Sequence, residues 1–304
     1  MISDNIILTD GGLETDFIFN RDINLPHFAS FPLLEDPIHR LTLQSYYKDY
    51  LNLAMENKTG FILESPTWRS SQDWGYKLGY TKEDIQRVNE DAIRLLHQIR
   101  RDYSSAIENI YVSGCVGPRG DGYTIQNIMD ANDAKTYHSH QIEAFTKAKA
   151  DMVCAMTISY INEALGITMA AKEKHIPVVI SFTVELDGNL PSGETLQSAI
   201  DYIDEVTDMY PSYYMINCAH PSHFFDHLKT SDSWKSRIKG IRANASCKSH
   251  EELDASDELD TGDKTALGEW YLKLKKVLPD LIVFGGCCGT DASHIESICN
   301  HIIK

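Results

Sequence analysis

The sequence is poor in cysteine, has no apolar run long enough to cross a membrane, has no excess of positive charge, and is not divided by linkers. Each shortage excludes something. Seven cysteines in 304 residues, an odd number, do not make the disulfide framework of a secreted protein, so reduced thiols that pack or do chemistry are expected. No apolar stretch approaches the roughly 18 residues of a membrane span, and Met1-Ile2-Ser3-Asp4-Asn5 carries no basic leader. A cytoplasmic protein is the expectation. Lys and Arg number 28 against 44 Asp and Glu, and the net charge of −16 speaks against nucleic acid or an anionic membrane as partner. Small molecules remain, and a homo-oligomer is compatible with the composition. No Gly/Ser-rich or Pro-rich linker and no solenoid-type repeat is present, so one domain spanning residues 1–304 is the simplest division.

What the chain does contain is an alternation of short apolar runs with longer amphipathic stretches, the pattern of βα units. Eight such units can be counted, with strands expected at residues 6–9, 60–64, 110–114, 151–156, 177–182, 213–217, 238–243 and 281–285. Helical spacing is clearest over residues 81–102, where Ile85, Val88, Ala92, Leu95, Leu96 and Ile99 share a face. It recurs over residues 292–303, which start after the N-cap candidates Thr290 and Asp291. The expected fold is α/β, a single closed (β/α)8 barrel of the TIM type with its chemistry at the C-terminal ends of the strands. An open doubly wound sheet is the alternative, but no Gly-x-Gly-x-x-Gly follows the first strand. Residues 250–263 interrupt the order with seven acids in fourteen positions and are read as a solvated loop insertion on the active face.

Three features fall at expected strand ends: Asp10-Gly11-Gly12 after the first, Asn217-Cys218 after the sixth, and Gly285-Gly286-Cys287-Cys288-Gly289 after the eighth. A barrel brings these ends together, so Cys218, Cys287 and Cys288 can converge on one point of the rim. Three thiolates suit Zn2+, whose catalytic sites keep three protein ligands and leave a fourth position open. An incoming thiol would bind there as a thiolate, and the anionic ligand set would keep it electron-rich. The implied reaction is alkyl transfer to sulfur, with no catalytic side chain beyond that activated thiolate. Gly285, Gly286 and Gly289 permit the sharp turn that lets adjacent cysteines face one ion. The bland alternative is a packed pair or a vicinal disulfide at Cys287-Cys288. Cys115, Cys154, Cys247 and Cys299 are assigned to packing.

Asp10-Gly11-Gly12-Leu13-Glu14-Thr15, Ile216-Asn217-Cys218 and Gly285-Gly286-Cys287-Cys288-Gly289-Thr290, in this order over essentially the whole chain, resemble the homocysteine S-methyltransferase family. The resemblance implies a (β/α)8 barrel, zinc held by Cys218, Cys287 and Cys288, and methylation of homocysteine to methionine. It also implies that Asp10 and the backbone beside it, including Gly11, help to bind the amino acid; Asn217 and Thr67 are further candidates for substrate binding. Family donors include S-methylmethionine, S-adenosylmethionine and betaine. A methyl-folate donor would need cobalamin and folate modules for which this chain is too short.

The chain departs from the family after the fourth strand. Members usually carry there a Glu that holds the homocysteine ammonium, and this chain has Met156-Thr157. After the second strand it reads Leu63-Glu64-Ser65-Pro66-Thr67-Trp68-Arg69, where the family commonly has Thr-Asn-Thr. Glu64 is therefore a candidate for the missing carboxylate, unless it pairs structurally with Arg69 or Arg119. The opposite reading is a different thiol or selenol as acceptor, and a non-catalytic zinc or thiol sensor is the alternative from another class. Arg119 is a candidate for a carboxylate-binding group. Trp68, Trp74, Tyr76 and Tyr160 are candidates to face a cationic donor. His138 and His140, two apart on a helix, do not share a face and are read as packed or solvated. A place for His220 near the zinc is left open.

Overall fold

A computed structural model describes residues 5–229, 232–256 and 258–303. Asp257 of the acidic segment and the first four residues lie outside the described residues, as does the side chain of Asp254. Eight parallel strands pair in sequence order, and the first pairs with the last, closing a (β/α)8 barrel. They are β1 (Ile7–Leu8), β2 (Gly60–Glu64), β3 (Ile110–Val116), β4 (Met152–Ile158), β5 (Val178–Phe182), β6 (Tyr213–Asn217), β7 (Ile238–Ala243) and β8 (Val283–Gly286). The open-sheet alternative is thereby excluded. A helix follows each strand: α1 (Pro37–Asn57), α2 (Lys82–Tyr103), α3 (Ala131–Lys147), α4 (Ile161–Glu173), α5 (Leu196–Thr207), the single turn α6 (Pro221–Phe224), α7 (Lys264–Val277) and α8 (Ala292–Ile302).

The helices start where their capping chemistry puts them. Thr81 accepts from the Asp84 amide and Asp84 accepts from the Thr81 amide, a reciprocal box that opens α2. Asp291 rather than Thr290 caps α8, accepting from the amides of Ser293 and His294. The face read from the sequence of α2 is the buried one, and each such aliphatic side chain contributes roughly 1.5–3 kcal/mol by leaving water.

Period-two alternation divides the strand residues between two cores. Leu8, Phe61, Leu63, Val112, Val153 and Ile180 pack against the helices. Ile7, Ile62, Met152, Cys154, Val179, Tyr213, Met215 and Val283 fill the barrel itself. Continued one step toward the C-terminal ends, the same alternation turns inward Glu64 from β2, Met156 from β4, Ser181 from β5 and Asn217 from β6. On β7 it does the same for Arg242, two residues past a Gly240 whose added Cβ would sit 2.7 Å from Met215. Polar and charged groups thus lie directly above an apolar plug. The acidic segment is more structured than a solvated loop. Ser249 and Glu252 cap a short helix (His250–Asp254), and His250 is buried beside Thr183 and Val184. No helix among the described residues is long and apolar enough to cross a membrane.

Candidate metal centre

Cys218 follows β6 with φ +53°, a left-handed conformation that a non-glycine residue rarely adopts, and Thr157 at the end of β4 has φ +62°. Such residues cost of order 1–3 kcal/mol each and persist where their surroundings over-determine them. Here the surroundings are the Asn217 side chain. Its Oδ1 accepts from the Thr157 amide at 2.9 Å and from Ser181 Oγ at 2.6 Å, and its Nδ2 donates to Thr157 Oγ1 at 2.8 Å and toward Cys287 Sγ at 3.9 Å. Asn217 lines the pocket, but its hydrogen-bonding capacity is spent on holding two strained strand ends and a cysteine sulfur.

The Cys287-Cys288 turn is strapped from three sides. The Cys287 amide donates to Ala243 O at 2.8 Å, its carbonyl accepts from the Thr290 hydroxyl at 2.7 Å, and the Cys288 carbonyl accepts from the Ala245 amide at 3.1 Å. Of the glycines expected to permit the turn, only Gly289 has a positive φ, +79°. Gly285 and Gly286 belong to β8, and an added Cβ on either would run into Thr9 or Thr290. Gly12 is needed for close approach, since a Cβ there would lie 2.5 Å from the Cys287 carbonyl oxygen.

The three sulfurs of Cys218, Cys287 and Cys288 lie within 4.8 Å of one another. Cys218 and Cys287 are paired as a disulfide, with Cα atoms 5.4 Å apart, so the vicinal pair is not the one that forms. Tetrahedral zinc with sulfur at ~2.3 Å sets its ligands roughly 3.8 Å apart. A trio of this size, reduced, fits such an ion, and all three residues line the same pocket. Cys115, Cys154 and Cys299 are buried as expected; Cys247 is not, lying exposed in the loop after β7.

That pocket is also lined by Asp10, Gly11, Gly12, Glu14, Phe28, Glu64, Trp68, Tyr123, Met156, Thr157, Asn217 and Arg242. Asp10 is buried, and its carboxylate accepts from Arg242 Nη2 at 2.7 Å and from Tyr46 Oη at 3.1 Å. Burial raises its pKa, and Arg242 opposes that rise. Burial likewise raises Glu14, which accepts from Ser30 Oγ. Glu64 is 6% exposed, its Oε2 is sealed beside Ser113 and Cys154 without a well-formed hydrogen bond, and burial pushes its carboxyl up to about 7 against the pull of Arg242 and of those two side chains. It pairs with neither Arg69 nor Arg119.

Five of the sequence candidates, Thr67, Trp74, Tyr76, Arg119 and Tyr160, lie outside this pocket. Thr67 is fully buried and spends its hydroxyl on Ser65 and the Cys115 carbonyl, tying the β2 loop to β3. Arg119 is captured by Asp73 at 2.9 Å and is 44% exposed. Tyr160 lines the same separate groove as Arg119, with Asp73, Trp74 and Tyr76, and its hydroxyl accepts from the Met129 amide. Trp68 is in the pocket, its indole Nε1 donating to the Met156 carbonyl. His138 is buried on Glu163 at 2.9 Å, and His220 faces Ser222 and Trp270. Sequence reasoning missed Arg242 altogether. Its only signal was a lone Arg in the apolar run of β7, at the register position opposite Asn217 and Gly285.

Three solved structures of the homocysteine methyltransferase MmuM from Escherichia coli share the fold. The oxidized form aligns with TM-score 0.76 at 16% identity, covering 97% of this chain and 95% of that one. The metallated form gives 0.76 at 14%, and the apo form 0.70 at 16%, each covering 98% of this chain and 96% of that one. No curated protein sequence matches. The sequence profile described as homocysteine S-methyltransferase matches residues 7–302. With that match over nearly its whole length, the chain belongs to the homocysteine S-methyltransferase family, and with it to that class of enzymes.

Proposed function

We propose that this enzyme moves a methyl group from a sulfonium or ammonium donor to the thiol of homocysteine, giving methionine, with zinc held by Cys218, Cys287 and Cys288. The observation that carries the proposal is a trio of cysteine sulfurs on the wall of a pocket that is also lined by a largely buried carboxylate, Glu64. The metallated state named for the E. coli MmuM structure agrees with it. Zinc in this cradle would keep the acceptor sulfur a thiolate at neutral pH and leave it electron-rich.

The chain's own residues do the rest. Asn217 sets the position of Cys218 and Cys287, Asp10 and the backbone of Gly11 and Gly12 border the acceptor, and Glu64 takes the ammonium that Met156 cannot. Phe28, Trp68 and Tyr123 wall the pocket with rings, which exclude water and favour a cationic donor. The acceptor sulfur forms its bond to the methyl carbon as the donor's bond to that carbon breaks, and the donor leaves neutral. The partners are small molecules.

Methionine formation from homocysteine, assayed in parallel with S-methylmethionine, S-adenosylmethionine and betaine, tests the proposal. Turnover with one of them that stops on chelation is the expected result. Absence of turnover with every donor, while about one zinc per chain stays bound, overturns it. Met156 on the pocket wall favours a second reading, a thiol or selenol without a free ammonium. Faster turnover of such an acceptor than of homocysteine would establish it.

A further inference from the structure

Arg242 is held at the inner end of β7 by one half of its guanidinium. Nε donates to Gly286 O at 3.0 Å, and Nη2 donates to Asp10 Oδ1 at 2.7 Å, to Gly11 O at 3.1 Å and to Asp10 O at 3.4 Å. Nη1 makes no hydrogen bond among the described residues, and it is not one of the sealed polar atoms of the core. The side chain keeps 10% of its surface, and the residue lines the pocket. Across the same pocket stands the Glu64 carboxylate: Oε2 is sealed in the core beside Ser113 and Cys154, while Oε1 makes no hydrogen bond among the described residues and is not one of the sealed atoms. The two charges attract, yet they form no ion pair with each other. Asp10 and Gly11 hold the guanidinium on the β1 side.

A carboxylate oxygen and a guanidinium nitrogen, neither used in a hydrogen bond, thus border one cavity, and each makes a strong charge-assisted hydrogen bond with a ligand of opposite charge. A ligand that carries a cation and an anion a short distance apart satisfies both. We infer that Arg242 binds the carboxylate of the acceptor while Glu64 binds its ammonium, so that the pocket selects a free α-amino acid by both charges and rejects thiols in which either group is capped. This rests on the reading of the pocket as the acceptor site. Asp10 is then a positioning residue, which anchors Nη2 so that Nη1 alone is presented. A zwitterion adds no net charge to a pocket that already holds Asp10, Glu14 and Glu64 against a single cation.

The test compares homocysteine with its carboxamide, which lacks the anion, and with mercaptobutanoate, which lacks the ammonium. KM and calorimetric affinity are measured on the metal-loaded wild type, Arg242→Lys and Glu64→Gln. Lys keeps a cation beside Asp10 but has no second nitrogen to present. A charged hydrogen bond predicts roughly a 10- to 100-fold preference of the wild type for homocysteine over the carboxamide. In Arg242→Lys this preference collapses while the preference over mercaptobutanoate survives, and in Glu64→Gln the pattern inverts. A merely structural Arg242 would lower stability in the Lys variant and leave the ratio untouched, which overturns the inference. Should that variant fail to fold, equal binding of homocysteine and carboxamide by the wild type overturns it equally. In either case methylation of homocysteine stands. If the wild type neither binds nor methylates homocysteine, the reading of the pocket fails, and the inference with it.

Discussion

Replacing Glu64 by Gln should make the ligand-free protein more stable, by an amount that depends on pH. The carboxyl titrates near 7 in the folded chain because burial disfavours its charge, against an ordinary value of 4.5. The folded state therefore holds this proton more tightly than the unfolded chain. Below pH 4.5 both states carry the proton and the site costs nothing; between 4.5 and 7 the cost grows, and above 7 it is complete. One pKa unit corresponds to about 1.36 kcal/mol, so the full cost is about 3 kcal/mol at pH 8 and about 1 kcal/mol at pH 5. Gln keeps the shape and removes the charge. For a chain of this length about 3 kcal/mol shifts the melting temperature by about 5 °C. Melting curves of the metal-loaded pair at pH 8 and pH 5 measure it: a gain at pH 8 that shrinks toward pH 5 is expected. Equal melting temperatures at pH 8, or a Gln variant less stable by the same amount at both pH values, refute the buried, unpaired carboxylate. The same group should give kcat/KM for homocysteine a rising limb through about pH 7, as Glu64 ionises and can hold an ammonium, and Glu64→Gln should lack that limb.

Three further substitutions follow from the cradle. Cys287→Ala should lose zinc from about one per chain to near none while circular dichroism stays native, since the other sulfurs come from separate strands; retained stoichiometric zinc would refute the ligand set. Gly12→Ala drives a methyl to within 2.5 Å of the Cys287 carbonyl, and overpacking of this kind costs about 1–3 kcal/mol. A competition assay with a chelator should show weaker metal binding. Asn217→Ala strands the Thr157 amide and frees two left-handed residues; about 1–3 kcal/mol of stability should go with that unpaired donor, and kcat should fall more than KM rises.

Much of the barrel was legible because its signals are local. Eight apolar runs, their spacing and the cap at Asp291 are each set by a few neighbouring residues, and strand ends were misjudged by at most two positions. The cysteines were legible because the residue type itself carries the chemistry. Arg119 and Thr67 misled for the opposite reason. Both stand at strand ends, but whether a side chain turns into the pocket depends on which partner intercepts it, and Asp73 and the Cys115 carbonyl are far away in sequence. Arg242 was invisible for the same cause, since its meaning comes from Asp10, at a separation of 232 residues.

The geometry of a closed barrel explains why one part of this site keeps the family's pattern and another part does not. Three sulfurs can share an ion only if they meet near one point, which ties Cys218 to the end of β6 and Cys287 and Cys288 to the end of β8, with Gly12 and Asn217 fitted around them. Charges that recognise an amino acid are under no such restriction. All eight strand ends surround the same cavity, and a carboxylate acts over several ångströms in a pocket from which water is excluded. The position after β4 can thus be Met156 provided another strand supplies the charge, which in the function proposed above is β2 with Glu64. Once a buried carboxylate stands on that side, an opposing cation lowers its cost, and Arg242 is the one basic residue lining the pocket among the described residues. The pair belongs together: without Arg242, Glu64 would titrate higher still and would be uncharged when the ammonium arrives.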